Sequence, residues 1–181
     1  LEGLDGVKKM SKSYDNYIGL AEPADEAYGK LMSVSDELMW RYFRLLLYKS
    51  EEELKILRKK VKAGDLHPMN LKKEMAHNVV ARLWSAEEAA SSQKKFEALF
   101  QKRDYSQAKE VALSDSCDNP IWIVELLRKL GAIKASSEAK RLLLGGAVEF
   151  DGSVVKDFKA NVEWKSGMVV KVGKHRIYKI K

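Results

Sequence analysis

Residues 136–155 read SSEAKRLLLGGAVEFDGSVV. In the first half, apolar residues recur at three- and four-residue spacing, which predicts a short helix that is capped by Ser136 or Ser137 and ends at the glycine pair. Beyond the glycines, apolar and polar residues alternate on both sides of Asp151-Gly152, a dipeptide typical of the two-residue turn of a β-hairpin. This stretch therefore predicts a helix followed directly by a hairpin.

The flanking sequence extends this pattern in both directions. Asn119-Pro120 is a typical helix start, and the apolar residues after it predict a helix that ends at Gly131. Met168–Val172 and Arg176–Ile180 flank a Gly-Lys-His turn and predict a second hairpin. Residues 120–181 are thus expected to form a small α+β domain.

The positive charge of the chain is concentrated in this last third. Residues 121–181 contain 13 Lys and Arg against 6 Asp and Glu, whereas residues 1–120 contain 20 of each. Such segregation favours a polyanionic partner, because the neutralisation of phosphates releases condensed counterions. An inert basic surface is the alternative that charge alone leaves open.

The same stretch resembles the RNA-binding domain first named for ribosomal protein S4. The resemblance rests on residues 137–143, then Gly146 and Val148, then Asp151-Gly152. In that family, two helices and the following turn present basic and polar groups to the phosphates of structured RNA. The residues that this resemblance assigns to RNA binding are Lys134, Ser136, Ser137, Lys140 and Arg141. An α+β packing module with solvated lysines is the alternative.

The middle of the chain, residues 23–102, reads as a series of amphipathic helices. Helices are expected to begin near Pro23, Ser35, Ser50, Pro68 and Ala86. Ser50 is followed three residues later by Glu53, which is the spacing of a capping box. We therefore predict a mainly α-helical domain followed by the small α+β S4-like domain.

Residues 103–119 are expected to link the two domains. This stretch is polar and broken in pattern, and a short helix is predicted over residues 107–113. It contains Cys117, the single cysteine of the chain. One cysteine excludes an internal disulfide and fits a reducing cytoplasm.

Aromatic and histidine residues of the middle segment are expected to have structural roles. Four aromatic side chains could form a surface on which bases stack, but at helical spacing such residues more often belong to the core. They are Trp40, Tyr42, Phe43 and Tyr48. His67 and His77 have no cysteine or histidine partner at metal-ligand spacing, so no metal site is predicted.

Near the beginning of the chain stands the string Lys9-Met10-Ser11-Lys12-Ser13. Two lysines three residues apart in a polar loop suit the β- and γ-phosphates of a nucleotide, because ammonium groups are mobile point charges that can follow a departing pyrophosphate. Serine hydroxyls and backbone amides add hydrogen bonds. A solvated lysine-rich loop is the alternative for so short a motif.

This string resembles the signature loop of the class I aminoacyl-tRNA synthetases. Residues 9–18, KMSKSYDNYI, are similar to the loop and its exit in the bacterial tyrosyl-tRNA synthetases, and residues 65–75 resemble the entry to a helix of their anticodon-binding domain. The order of loop, helical domain and S4-like domain is also that of this family. Tryptophanyl enzymes share the loop but generally lack the S4-like domain, which favours tyrosine.

The resemblance implies the activation of tyrosine by ATP to tyrosyl-adenylate, followed by transfer of tyrosine to tRNA(Tyr). Lys9 and Lys12 would be catalytic, since they would stabilise the leaving pyrophosphate, and Ser11 and Ser13 would help to hold ATP. Mg²⁺ is expected to accompany ATP. Residues 1–22 would be the loop and the exit from a catalytic domain.

We expect the chain to be part of a longer protein, because residue 1 is leucine and the loop follows almost at once. No His-x-Gly-His motif, Rossmann-type strand series or tyrosine pocket precedes the loop, and no run is long enough for a transmembrane helix. By itself the chain is expected to be an inactive monomer that holds no ATP stably, whereas the full-length enzyme would be a cytoplasmic homodimer. The alternatives are a non-catalytic S4-type RNA-binding protein and a tryptophanyl-type synthetase fragment.

Overall fold

The computed structural model describes residues 1–114 and 117–181, so Asp115 and Ser116 of the predicted linker lie outside it, as does the side chain of Gln107. The chain divides into two compact units, Leu1–Glu97 and Ala98–Lys181. The first is helical, and the second combines helices with short strands. This confirms the predicted order of a mainly α domain and a small α+β domain. Within the described residues, no helix has the length and apolar character needed to cross a lipid bilayer.

The described residues of the first unit form five α-helices. They are α1 (Ala24–Ser33), α2 (Asp36–Leu46), α3 (Glu51–Ala63), α4 (Pro68–Leu83) and α5 (Ala86–Phe96). Ser35 accepts a hydrogen bond from the amide of Leu38, and Ser50 and Glu53 form the predicted capping box. The helix predicted to begin near Ala86 is α5, and a π-helical turn, Glu97–Gln101, follows it.

The start of α4 shows why a histidine precedes its proline. Pro68 occupies the first turn, where its missing amide is not needed. The Nδ1 atom of His67 accepts a hydrogen bond from the amide of Met69 at 3.1 Å. The imidazole therefore takes the role that a serine plays at the starts of α2, α3 and α5. Among the described residues, no group of three or more His, Cys, Asp or Glu is arranged to hold a metal ion.

The aromatic residues of α2 and its C-terminal end divide between core and surface. Tyr42 and Phe43 are fully buried, and Trp40 packs partly buried against the same core, as predicted. The prediction is wrong for Tyr48, whose surface is 72% exposed. Because α2 ends at Leu46, Tyr48 no longer follows the helical spacing, and its backbone takes a left-handed φ of 54°.

The second unit contains two helices and two sheets in its described residues. The elements are β1 (Lys109–Val111), β2 (Ile121–Trp122), α6 (Ile123–Lys129), α7 (Ser136–Leu144), β3 (Val148–Phe150), β4 (Ser153–Val154), β5 (Asn161–Val162), β6 (Val169–Val172) and β7 (Arg176–Ile180). The larger sheet has the strand order β1-β7-β6-β3-β4, and β2 pairs with β5. The two helices and the larger sheet share one apolar core, which includes Leu126, Leu127, Leu143, Val170 and Val172.

Both predicted hairpins are confirmed. Strands β3 and β4 pair antiparallel, with Phe150 opposite Ser153, so that Asp151 and Gly152 alone form the turn. Both turn residues have positive φ angles, 46° and 85°. Aspartate and glycine adopt this conformation more easily than most residues, which is why Asp-Gly is common in such turns. Strands β6 and β7 form the second hairpin, from Val172 opposite Arg176 to Val169 opposite Lys179.

Two predictions of helices in the second unit need correction. The helix expected over residues 107–113 is absent, because a 3-10 turn at Tyr105–Gln107 leads into β1, which pairs in parallel with β7. The expected linker, residues 103–119, thus contributes a strand to the sheet. The helix expected at Asn119-Pro120 begins only at Ile123, since β2 comes first and pairs with β5. Each of these errors involves a strand whose partner lies far along the chain.

Candidate functional site

The lysine loop, residues 9–13, runs back alongside the first residues of the chain. The amide of Met10 donates to the carbonyl oxygen of Leu1 at 3.0 Å, and the amide of Gly3 donates to that of Lys8 at 2.8 Å. A 3-10 turn, Lys12–Tyr14, follows. Backbone hydrogen bonds to residues 1–3 therefore fix the conformation of the loop.

Asn16 is the residue that connects the loop to this segment. It is buried, with 5% of its surface exposed. Its Oδ1 accepts from the amide of Ser11 at 2.9 Å, and its Nδ2 donates to the carboxylate of Asp5 at 2.9 Å and to the carbonyl oxygen of Lys9 at 3.3 Å. Its own carbonyl oxygen accepts from the amide of Leu4 at 2.8 Å. One side chain thus fixes the backbone on both sides of Met10.

Gly3 leaves the space that Asn16 occupies. A Cβ atom at position 3 would lie 2.1 Å from Nδ2 and 2.3 Å from Cγ of Asn16, and 2.7 Å from its carbonyl oxygen. These distances are far below van der Waals contact. Glycine is therefore required here by close approach.

The start of the chain is also attached to α2. The hydroxyl of Tyr42 donates to the carbonyl oxygen of Glu2 at 2.9 Å, and the Glu2 side chain pairs with Arg41. Burial raises the pKa of Tyr42 to about 12, so this hydroxyl remains a donor at physiological pH. Met10 and Ile18 pack against the apolar core of the unit. The loop therefore stands on a scaffold of buried side chains.

The functional groups of the loop face outward from this scaffold. Lys9, Lys12 and Ser13 are exposed, and Ser11 is partly buried. The Ser11 hydroxyl accepts from the amide of Tyr14 at 3.3 Å and so caps the 3-10 turn. Within residues 1–114 and 117–181, neither Lys9 nor Lys12 makes an ion pair. Both ammonium groups are thus available to an anion.

Asp5 is the acid that organises the turn before the loop. Its Oδ1 accepts from the amides of Val7 and Lys8, each at 2.9 Å, and its Oδ2 accepts from Asn16. These hydrogen bonds, the one from Val7 first, hold the pKa of Asp5 below its ordinary value of 3.8. The ionised carboxylate is the form that the turn requires.

Acid should therefore release this turn in a defined pH window. Because the folded-state pKa of Asp5 is lower than the unfolded value of 3.8, its contribution is complete above that value and is lost as the pH falls through the folded-state pKa. We expect the NMR shifts of the Val7 and Lys8 amides to titrate together with a midpoint below 3.8, and not to titrate in Asp5→Asn. A midpoint at or above 3.8 would contradict this assignment.

In the second unit, α7 separates an apolar face from a basic one. Ala139 and Leu143 are buried in the core. Lys140 and Arg141 are exposed, and neither makes an ion pair in the part of the chain that the structure describes. Ser137 is also exposed and stands one turn before Arg141 on the same side of the helix. Ser137, Lys140 and Arg141 therefore share the outer surface of this helix.

Neither serine at the start of α7 caps the helix as predicted. The residue before the helix is Ala135, and its side chain makes no capping hydrogen bond. Ser136 lies inside the first turn, where its hydroxyl accepts a hydrogen bond from Arg128 Nη2 at 3.1 Å. Ser136 therefore does not cap α7 as expected, and its hydroxyl instead connects α7 to α6 through Arg128. Lys134 lies exposed in the loop before α7.

The predicted site residues form two groups, one in each unit. The structure brings Lys9, Ser11, Lys12 and Ser13 into one loop, and Lys134, Ser136, Ser137, Lys140 and Arg141 around the start of α7. No pattern in the sequence predicts the roles of Gly3, Asn16 and Arg128. The role of Asp5 could have been predicted, because the dipeptide Asp5-Gly6 is typical of a turn held by an aspartate side chain.

Comparison with known proteins finds similarity along both units of the chain. The family model described as "tRNA synthetases class I (W and Y)" matches residues 1–101. The chain is 42% identical over 180 residues to the tyrosine–tRNA ligase of Desulfotalea psychrophila, 42% identical over 180 residues to that of Francisella tularensis, and 36% identical over 180 residues to that of Aquifex aeolicus. Each match covers 99% of this chain but 44% of the relative. The chain thus spans less than half the length of these relatives.

Proposed function

Because the chain belongs to the class I tRNA synthetases of the tryptophan and tyrosine group, we propose that it is the tRNA-binding portion of a tyrosine–tRNA ligase, together with the phosphate-binding loop of that enzyme. The observation that carries this proposal is the lysine loop, whose two exposed lysines stand on a backbone fixed by Asn16. The full-length ligase would activate tyrosine with ATP and then transfer it to tRNA(Tyr).

Tyrosine is the proposed amino acid because the similarity continues through the second unit. The family model, which covers both tryptophan and tyrosine enzymes, ends at residue 101. The relatives named tyrosine–tRNA ligase align over 99% of the chain, which includes the basic α+β unit. The resemblance to S4-like domains, which tryptophanyl enzymes generally lack, supports the same choice.

Lys9 and Lys12 would act on the pyrophosphate that leaves when the tyrosine carboxylate attacks the α-phosphorus of ATP. Negative charge grows on the β- and γ-phosphates in this step, and two ammonium groups at the loop would stabilise it. Ser11 already uses its hydroxyl oxygen within the loop, whereas Ser13 is exposed and would donate to a phosphate. Mg²⁺ would accompany ATP as a further counter-charge.

The remaining parts of the chain would bind tRNA(Tyr). We assign residues 1–22 to the loop and its connection, residues 23–102 to an anticodon-binding domain, and residues 120–181 to an S4-like domain on the extra arm or stem. Residues 103–119 would connect the two. The full-length ligase would be a cytoplasmic homodimer, whereas this chain alone would be a monomer that holds no ATP stably.

Titration of tRNA(Tyr) tests the RNA-binding part of the proposal. We expect the chain to bind the transcript with an affinity that falls as salt is raised, because bound counterions are released. The double variant Lys140→Ala/Arg141→Ala is expected to weaken binding by about five- to tenfold and to reduce the slope of log K against log salt by roughly 1 to 2. Fluorescence anisotropy at several salt concentrations measures both quantities.

A matched control distinguishes RNA binding through the basic face of α7 from a general effect of positive charge. Lys159→Ala/Lys165→Ala removes the same number of charges from exposed positions of the same unit. This control is expected to change the affinity by less than about twofold. The proposal fails if the unmodified chain shows no affinity at low salt, or if both double variants weaken binding equally.

A further inference from the structure

The loop between α6 and α7, residues 130–135, is held in place from two sides. Ala132 is buried in the core of the second unit. On one side of the loop, Arg128 donates to the hydroxyl oxygen of Ser136 at 3.1 Å. The loop carries Lys134 and leads into α7, so its position determines where the residues assigned to phosphates stand.

On the other side, Arg176 reaches this loop from strand β7. Its Nη1 atom donates to the carbonyl oxygen of Ala132 and lies 3.6 Å from Oε1 of Glu138. The Arg176 side chain is 31% exposed, and its Nε atom is buried without a hydrogen-bond partner among the described residues. The guanidinium is thus directed toward the loop and is not a free surface charge.

Glu138 is the acidic residue of α7 and the group that Arg176 faces. Its side chain is 18% exposed, and its Oε2 atom accepts a hydrogen bond from the amide of Lys134 at 3.1 Å. It lies in the same helix as Lys140 and Arg141. A carboxylate at this place would repel RNA phosphates unless a cation neutralises it.

We propose that Arg176 is a positioning residue for RNA binding, which neutralises Glu138 and fixes the α6–α7 loop. The inference rests on the proposed RNA-binding function of this unit. Arg176 makes no phosphate contact itself, because its guanidinium is engaged with Ala132 and Glu138. A loop that is held before RNA arrives loses less conformational freedom on binding, and the affinity of the neighbouring Lys134, Lys140 and Arg141 benefits.

A charge-rescue experiment tests this role with the tRNA(Tyr) transcript. Arg176→Gln is expected to weaken binding by about five- to tenfold, because it leaves the Glu138 charge uncompensated. Glu138→Gln alone is expected to change the Kd by less than about threefold. The double variant Arg176→Gln/Glu138→Gln is expected to have a Kd within about threefold of that of Glu138→Gln. If the losses are additive in the double variant, Arg176 acts independently of Glu138 and the inference is overturned.

Salt dependence distinguishes positioning from direct contact. A residue that touches a phosphate reduces the slope of log K against log salt by about 0.7 to 0.9 when it is removed. Arg176→Gln is expected to leave the slope unchanged, and a reduced slope would show that Arg176 binds RNA directly. Lys179→Gln removes the same charge from the same strand and is expected to change the Kd by less than about twofold. An equal loss in this control would trace the effect to net charge and overturn the inference.

Two further variants keep failure of folding and failure of the proposed function distinguishable. Arg176→Lys retains the positive charge and is expected to bind within about threefold of the unmodified chain. Circular dichroism and thermal unfolding of each variant show whether the unit is folded. If Lys140→Ala/Arg141→Ala weakens binding but Arg176→Gln does not, this inference alone fails. If neither weakens binding, the RNA-binding function of the unit fails with it.

Discussion

In the full-length ligase, Lys12→Ala is expected to slow the formation of tyrosyl-adenylate on the order of 10²-fold or more. The ammonium group of Lys12 would stabilise charge that grows on the pyrophosphate as it leaves, and that charge is larger in the transition state than in bound ATP. Tyrosine binding should change little, because the lysine does not contact the amino acid in this scheme. Single-turnover measurement of adenylate formation gives the rate directly.

Lys8 provides the matched control for this prediction. It lies in the same segment, but its Nζ atom stands 4.6 Å from the centre of the Tyr14 ring. Lys8→Ala is expected to change the rate by less than about threefold. An unchanged rate in Lys12→Ala would remove the proposed role of the loop.

Gly3→Ala is expected to displace the lysine loop although residue 3 carries no functional group. The added Cβ would lie 2.3 Å from Cγ and 2.7 Å from the carbonyl oxygen of Asn16, and overpacking of this kind costs about 1–3 kcal/mol. The hydrogen bonds from Asn16 to Lys9 and Ser11 would be lost or lengthened. We expect weaker hydrogen-exchange protection of the Leu4 and Met10 amides in this chain.

The same substitution should also slow adenylate formation in the full-length ligase by at least about tenfold, because a displaced loop no longer directs its ammonium groups correctly. Gly19→Ala is the matched control, since the three atoms nearest to a Cβ there all belong to the Glu22 side chain, with the closest at 3.1 Å, and none belongs to the backbone. It is expected to leave protection and rate nearly unchanged. If Gly3→Ala behaves like this control, Asn16 does not position the loop.

Much of the local structure could be predicted because it depends on residues that are close in the chain. The capping box of Ser50 and Glu53 requires two residues at a spacing of three, and the structure contains it. The Asp151-Gly152 turn needs two residues that tolerate positive φ, and it forms where expected. In both cases the interacting groups and the pattern that reveals them belong to the same short segment.

Prediction failed where the partner of a segment lies elsewhere. Lys109–Val111 is polar and short, and a helix was as consistent with its sequence as a strand. It becomes a strand because β7 offers it an open edge. Tyr48 stands about two helical turns after Trp40, yet the helix ends before it and leaves it exposed.

The candidate sites divide in the same way. Residue type and spacing alone predict the lysine loop, the basic face of α7, the order of the two domains and the resemblance to a family. Only the tertiary structure showed that Asn16 and Gly3 hold the loop and that Arg176 faces Glu138 from another element. These contacts join residues that are distant in the sequence and that only folding brings together, so no local periodicity predicts them.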